Sequence, residues 1–198
     1  MDEGGEHGTG WQHGHAGRLD GQQIQVAGAM SYPRWINLDC GYTNRPCNPP
    51  QFVRSRILPW RTKPLFEFIL RYPDPLILAI SDDLWIMPDR HFVHDGGSIP
   101  PFIELLTGIT REKHEPSFPL HDCGNQHGGY FISRDRGRTW AFCTMTRRQV
   151  DDVLYYALQA SGAAQWEVIT VDTGLAIGGW PAWYRNAFRR AIEAAKRS

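Results

Sequence analysis

Three stretches of this 198-residue chain carry side chains that can do chemistry together. Phe92-Val93-His94-Asp95-Gly96-Gly97-Ser98-Ile99-Pro100 reads as a strand running into a glycine loop. Leu120-His121-Asp122 sets an imidazole beside a carboxylate, and Asp151 follows on a helix. Glycine tolerates positive φ, so backbone groups after Asp95 can converge on one point. Calcium or another divalent cation wants oxygen ligands, which Asp95, Asp122 and loop carbonyls can supply. Neighbours on a helix project about 100° apart, so one of His121 and Asp122 can reach a metal while the other reaches a water. A neutral imidazole takes a proton near neutral pH, and a metal polarises a carbonyl or phosphoryl oxygen. Asp151 can bond the far side of the imidazole and fix its tautomer. The same residues have a plainer use. Asp-Gly-Gly is an ordinary turn, and a His-Asp pair between helices can satisfy buried backbone groups without reacting.

The elements that must position these groups follow from periodicity and punctuation. Residues 65–72, 76–80, 84–87 and 90–93 are short β-prone runs separated by Pro73-Asp74-Pro75, Ser81-Asp82-Asp83 and Pro88-Asp89, which predicts an antiparallel meander or hairpin pair. Residues 99–112 read as a turn and a short helix. Ser117 is placed to cap a helix with Pro119 in its first turn, and Gly128-Gly129 to stop it. Residues 130–144 suggest a hairpin with a charged tip at 134–138.

The clearest helix covers 146–161. Thr146-Arg147-Arg148-Gln149 has capping-box spacing, Met145 can staple to Val150, and Val150, Val153, Leu154, Ala157 and Leu158 form one apolar stripe. Asp151 sits at the edge of that stripe, whereas Asp152 points about 100° further out, so Asp151 is the acid that can face inward. Helices over about 164–177 and 182–196 complete an α+β layout, strands first and helices after.

Bulk properties bound the rest. Lys+Arg and Asp+Glu balance at 21 each, so no broad electrostatic grip on nucleic acid is expected. No apolar run approaches a membrane span, and no signal pattern opens the chain. Residues 1–30 are polar and glycine-studded, with His7, His13 and His15, and read as an arm ordered by a partner. Residues 31–64 are rich in Pro, Arg and Trp and read as irregular with short extended pieces. The globular part is then 65–198. Cys40, Cys47, Cys123 and Cys143 are too widely spaced for a zinc framework and read as reduced thiols of a protein folded in a cytoplasm.

Phe92-Val93-x-Asp95-Gly96-x-Ser98-Ile99-Pro100, Leu120-His121-Asp122, Asp151-x-x-Leu154-x-x-Ala157-Leu158 and Gly178-Gly179-Trp180-Pro181-Ala182-Trp183 resemble, over about 65–190, domain-of-unknown-function family 1353, common in phages and prophages. The motif order is also similar to bacterial and fungal phospholipase A2. That resemblance implies a small antiparallel sheet followed by a phospholipase-A2-like helical core, with an extended N-terminal arm. It implies His121 as base, Asp151 as the acid that orients it, and Asp122 with the Asp95, Gly96 and Ser98 loop as ligands of Ca²⁺ or another divalent cation. Asn125 stands where that enzyme has a tyrosine.

The expectation is a phage virion-associated protein, in the tail, made in the host cytoplasm and bearing a metal-dependent hydrolase site for the host envelope. Its partners would be other phage structural proteins, through the arm, and an envelope lipid or cell-wall component, with no specific nucleic acid and no transmembrane segment. One alternative is a purely structural assembly protein. The other is an HD-type phosphohydrolase using His94 and His121-Asp122, which the sheet-like 65–93 region disfavours because that fold is all-helical.

Overall fold

A computed structural model describes residues 31–54, 59–60, 62–71, 73–96, 108–109, 112–178 and 180–197. The arm at 1–30, Ser98 and most of the expected 99–112 turn and helix lie outside the described residues. The architecture is mixed α+β. In chain order the strands are β1 (Arg34–Ile36), β2 (Tyr42–Pro46), β3 (Phe52–Arg54), β4 (Thr62–Pro64), β5 (Phe66–Leu70), β6 (Ile77–Ser81), β7 (Leu84–Met87), β8 (His91–His94), β9 (Gly129–Ser133) and β10 (Ala141–Thr144). The helices are a single turn α1 (Leu38–Gly41), then α2 (Ser117–His127), α3 (Arg147–Ala160), α4 (Gln165–Gly178) and α5 (Trp180–Ala195).

The four β-prone runs do not make one meander. The inner pair, β6 and β7, joins an antiparallel sheet of order β1-β6-β7-β9-β10, while the outer pair, β5 and β8, joins β2 in the order β2-β5-β8. A third, two-stranded sheet pairs β3 with β4. The Pro/Trp-rich segment therefore contributes to the globular body, with β1 lying on β6 and β2 on β5. Its prolines end strands rather than abolish them: Pro46 and Pro64 are the last residues of β2 and β4.

Both larger sheets and two helices share one core. Phe68 and Leu70 from β5, Leu78 from β6, Ile86 from β7 and Phe92 from β8 pack with Leu120 and Cys123 of α2 and with Val150, Val153 and Ala157 of α3. A second cluster joins Phe118, Leu154 and Leu158 to Val168 and Val171 of α4. Helix α3 thus has apolar neighbours on two sides, which anchors it lengthwise against α2. Its N-terminus is closed as its spacing predicted. Thr146 Oγ1 accepts from Gln149 N at 3.3 Å, and Gln149 Oε1 accepts from Thr146 N at 2.9 Å.

Helix α2 starts differently from expectation. Ser117 is its first helical residue, and no side chain caps the helix. The buried Ser117 hydroxyl instead meets Ser161 Oγ at 2.9 Å, and Ser161 Oγ also accepts from Trp35 Nε1 at 2.9 Å. One hydroxyl at the end of α3 therefore ties together β1 and the start of α2. The other end of α2 stops where glycine predicts: Gly128 has φ +75°, and its N–H bonds the Gly124 carbonyl at 2.8 Å.

Candidate functional site

Helices α2 and α3 pack side by side and bring His121 to Asp151. His121 Nε2 lies 3.0 Å from Asp151 Oδ1, and each residue is 7% exposed. The other carboxylate oxygen, Oδ2, is 3.4 Å from Arg147 Nε, one helical turn earlier. Arg147 also donates to the Leu175 carbonyl on α4. Asp152, the neighbouring acid, is more exposed and pairs with Arg148 at 3.0 Å instead. The choice of Asp151 over Asp152, made on helical angle alone, agrees with this geometry.

The pairing has a chemical consequence. A carboxylate on Nε2 favours the tautomer with its hydrogen there, which leaves the Nδ1 lone pair as the base. Asn125, one turn after His121, brings its Nδ2 to 3.2 Å from Nδ1 and 3.1 Å from Nε2. Near-equal distances to both ring nitrogens place the amide over the ring face, since a position in the ring plane opposite Cε1 would overlap that carbon. Asn125 therefore covers the imidazole beside both of its nitrogens. Asp151 also borders a small, mostly apolar crevice between α3 and α4, lined by Leu154, Leu158, Val168, Val171 and Leu175.

The expected metal ligands come from two elements, the turn after β8 and helix α2. Asp122, next to His121 on α2, is half-buried. Asp95 has Lys63 Nζ 3.7 Å from its Oδ2. Gly96 takes the positive φ that its sequence position predicts, +84°, and spends its N–H on His94 Nδ1 at 3.0 Å. Among the described residues no three His, Cys, Asp or Glu side chains are grouped to hold an ion. Ser98 lies outside the described residues.

His94, the extra histidine of the HD-type alternative, is committed within the fold. Besides accepting from Gly96, it meets Asn44 Oδ1 through Nε2 at 3.0 Å, and Asn44 Nδ2 donates to Glu115 at 2.5 Å. The ring also stacks on Phe92. Burial drives its pKa down to about 4, so it is a neutral imidazole with its hydrogen on Nε2. This relay from β8 through β2 to the turn before α2 was not legible in the sequence, since Asn44 is 50 residues from His94 and 71 from Glu115.

A second polar cluster was also missed. Glu167, buried in the first turn of α4, accepts from Ala164 N at 2.8 Å and from Lys113 Nζ at 2.5 Å, with His114 Nε2 at 3.5 Å. The acidic residue three positions after Ala164 was the available signal, because a carboxylate there closes the helix start and complements its dipole.

No protein family, no curated protein and no solved structure matches this chain. What it does has to be judged from its own residues. Among the described residues, no helix is long and apolar enough to cross a membrane.

Proposed function

We propose that this chain is a phage virion-associated hydrolase, a tail component, whose phospholipase-A2-like His121–Asp151 pair activates water against an ester or related bond in the host envelope. One observation carries the reading: a buried imidazole held by a carboxylate at 3.0 Å across two packed helices. In that role Asp151 orients the ring and stabilises the imidazolium, while Nδ1 takes the proton of the attacking water. Asn125 restricts where that water can stand. The phage assignment rests on a motif order that resembles family 1353, and the hydrolytic chemistry on one that resembles phospholipase A2. The arm at 1–30 would then contact neighbouring phage structural proteins. Asp122, with the loop from Asp95 through Gly96 to Ser98, is the donor set to test for Ca²⁺, by calorimetry on the wild type and Asp122→Asn.

A purely structural reading also has a specific observation in its favour. Arg147 makes the pair a buried three-member chain, the arrangement of a brace between α2, α3 and α4. Release of fatty acid from phospholipid vesicles, or hydrolysis of a soluble aryl ester, separates the two. A base contributes about 10²–10⁴-fold, so His121→Asn should abolish turnover while the protein stays folded. No turnover by folded wild-type protein, on either substrate with calcium supplied, leaves the brace.

A further inference from the structure

Helix α5 is amphipathic in the wrong direction for a helix that only packs on its own protein. Its half-buried residues are Trp183, Asn186, Ala187 and Arg190. Arg190 lies on this inner edge, donating to the carbonyls of Asn125 at 2.7 Å and Gln126 at 3.1 Å, with its guanidinium 5.1 Å from the centre of the Trp183 ring. Two of the four inner side chains are thus polar or charged. Trp183 packs on the core, but three other large side chains point the other way: Tyr184, Phe188 and Ile192 are 61%, 71% and 41% exposed. Spaced by four, they form one stripe, centred about 150° round the helix from the inner edge.

A cationic border runs along that stripe. Arg185, Arg189 and Lys196 are exposed and fall on its one flank, and residues 182–197 hold five cations against the single acid Glu193. In a chain with no net charge this is a local surplus. A second copy is a poor occupant, because pairing the stripe with itself would also bring two cationic borders together. A helix lying along an anionic lipid surface satisfies both features. Its apolar side chains enter the boundary between headgroups and acyl chains, and arginine and lysine stems reach outward to phosphates.

We propose that the outer face of α5 docks this protein on an anionic bilayer, with Tyr184, Phe188 and Ile192 as the inserted residues and Arg185, Arg189 and Lys196 on the lipid phosphates. This face does not include the His121–Asp151 pair, and docking does not require that pair to react.

The test is co-sedimentation of the full chain with vesicles of phosphatidylcholine alone or mixed with phosphatidylglycerol. Sedimentation with the mixed vesicles, weakened by salt, is the expected result. Phe188→Ser should reduce binding about tenfold or more, and Arg185→Gln with Arg189→Gln should reduce it to a similar extent. All these side chains are exposed, so circular dichroism should show unchanged helix content. His121→Asn should bind as the wild type does, which separates this proposal from the hydrolytic one. Three outcomes overturn it: no sedimentation with anionic vesicles, sedimentation that Phe188→Ser leaves unchanged, or a solution dimer that Phe188→Ser dissociates.

Discussion

Replacing Asp151 by Asn probes the centre of the candidate site. The substitution keeps the shape of the side chain but removes the charge shared by Arg147 and His121. Arg147 is nearly as buried as its partner, and the Leu175 carbonyl it also contacts cannot neutralise a guanidinium. Removing one partner of a buried ion pair costs about 3–5 kcal/mol. An asparagine oxygen still accepts one hydrogen bond, so the lower end applies, about 3 kcal/mol. For a domain of this length each kcal/mol moves Tm by about 2–4 °C, giving a fall of roughly 6–12 °C. Arg147→Leu alone should cost a similar amount by taking the cation from beside Asp151, which keeps only His121. The double variant Arg147→Leu/Asp151→Asn loses the pair together and should cost about 2 kcal/mol less than the two single changes added. Urea denaturation of the four proteins measures this directly. Additivity within about 0.5 kcal/mol would show that the two side chains do not share a charge, and the chain from Arg147 to His121 would have to be abandoned.

Three further outcomes follow from the structure. His94 is neutral when folded and has a pKa of about 4 against an ordinary 6.5. Only the unfolded chain gains its proton between those values, so stability should fall as pH drops from 6.5 to 4, by about 3 kcal/mol in all. His94→Asn should flatten that part of a urea-midpoint profile, and an unchanged slope would count against the neutral buried ring. The Tyr130 hydroxyl is fully buried with no hydrogen-bond partner among the described residues. Tyr130→Phe should therefore leave stability unchanged or raise it by about 1 kcal/mol in thermal unfolding. Thr146→Ala removes one half of the α3 capping box and should cost about 1 kcal/mol by the same measurement, whereas Arg148→Ala on the exposed face should cost under about 0.5 kcal/mol.

Much of the helical half was legible because its signals are local. The α3 cap, the apolar stripe behind it and the stop at Gly128 each fit within one or two turns. Ser117 misled for the same reason. Its position suits a cap, but its hydroxyl found a partner 44 residues away at Ser161, which no window around residue 117 contains. The sheets were legible as strands but not as pairs. Each β-prone run is locally alike, and only the fitting together of Phe68 with Phe92 and of Leu78 with Ile86 assigns them to different sheets.

Residue type and spacing settled by themselves that His121 would sit on a helix, and that Asp151 rather than Asp152 would turn inward from the next one, because a helix's angular repeat is a property of the backbone. Folding alone decided that the imidazole and the carboxylate would meet at 3.0 Å, that Arg147 would join them, and that Asp95 would face Lys63. Those contacts depend on how α2, α3 and the strands settle against one core. That settlement sums many weak apolar contacts between distant residues, and no short stretch of the chain encodes it.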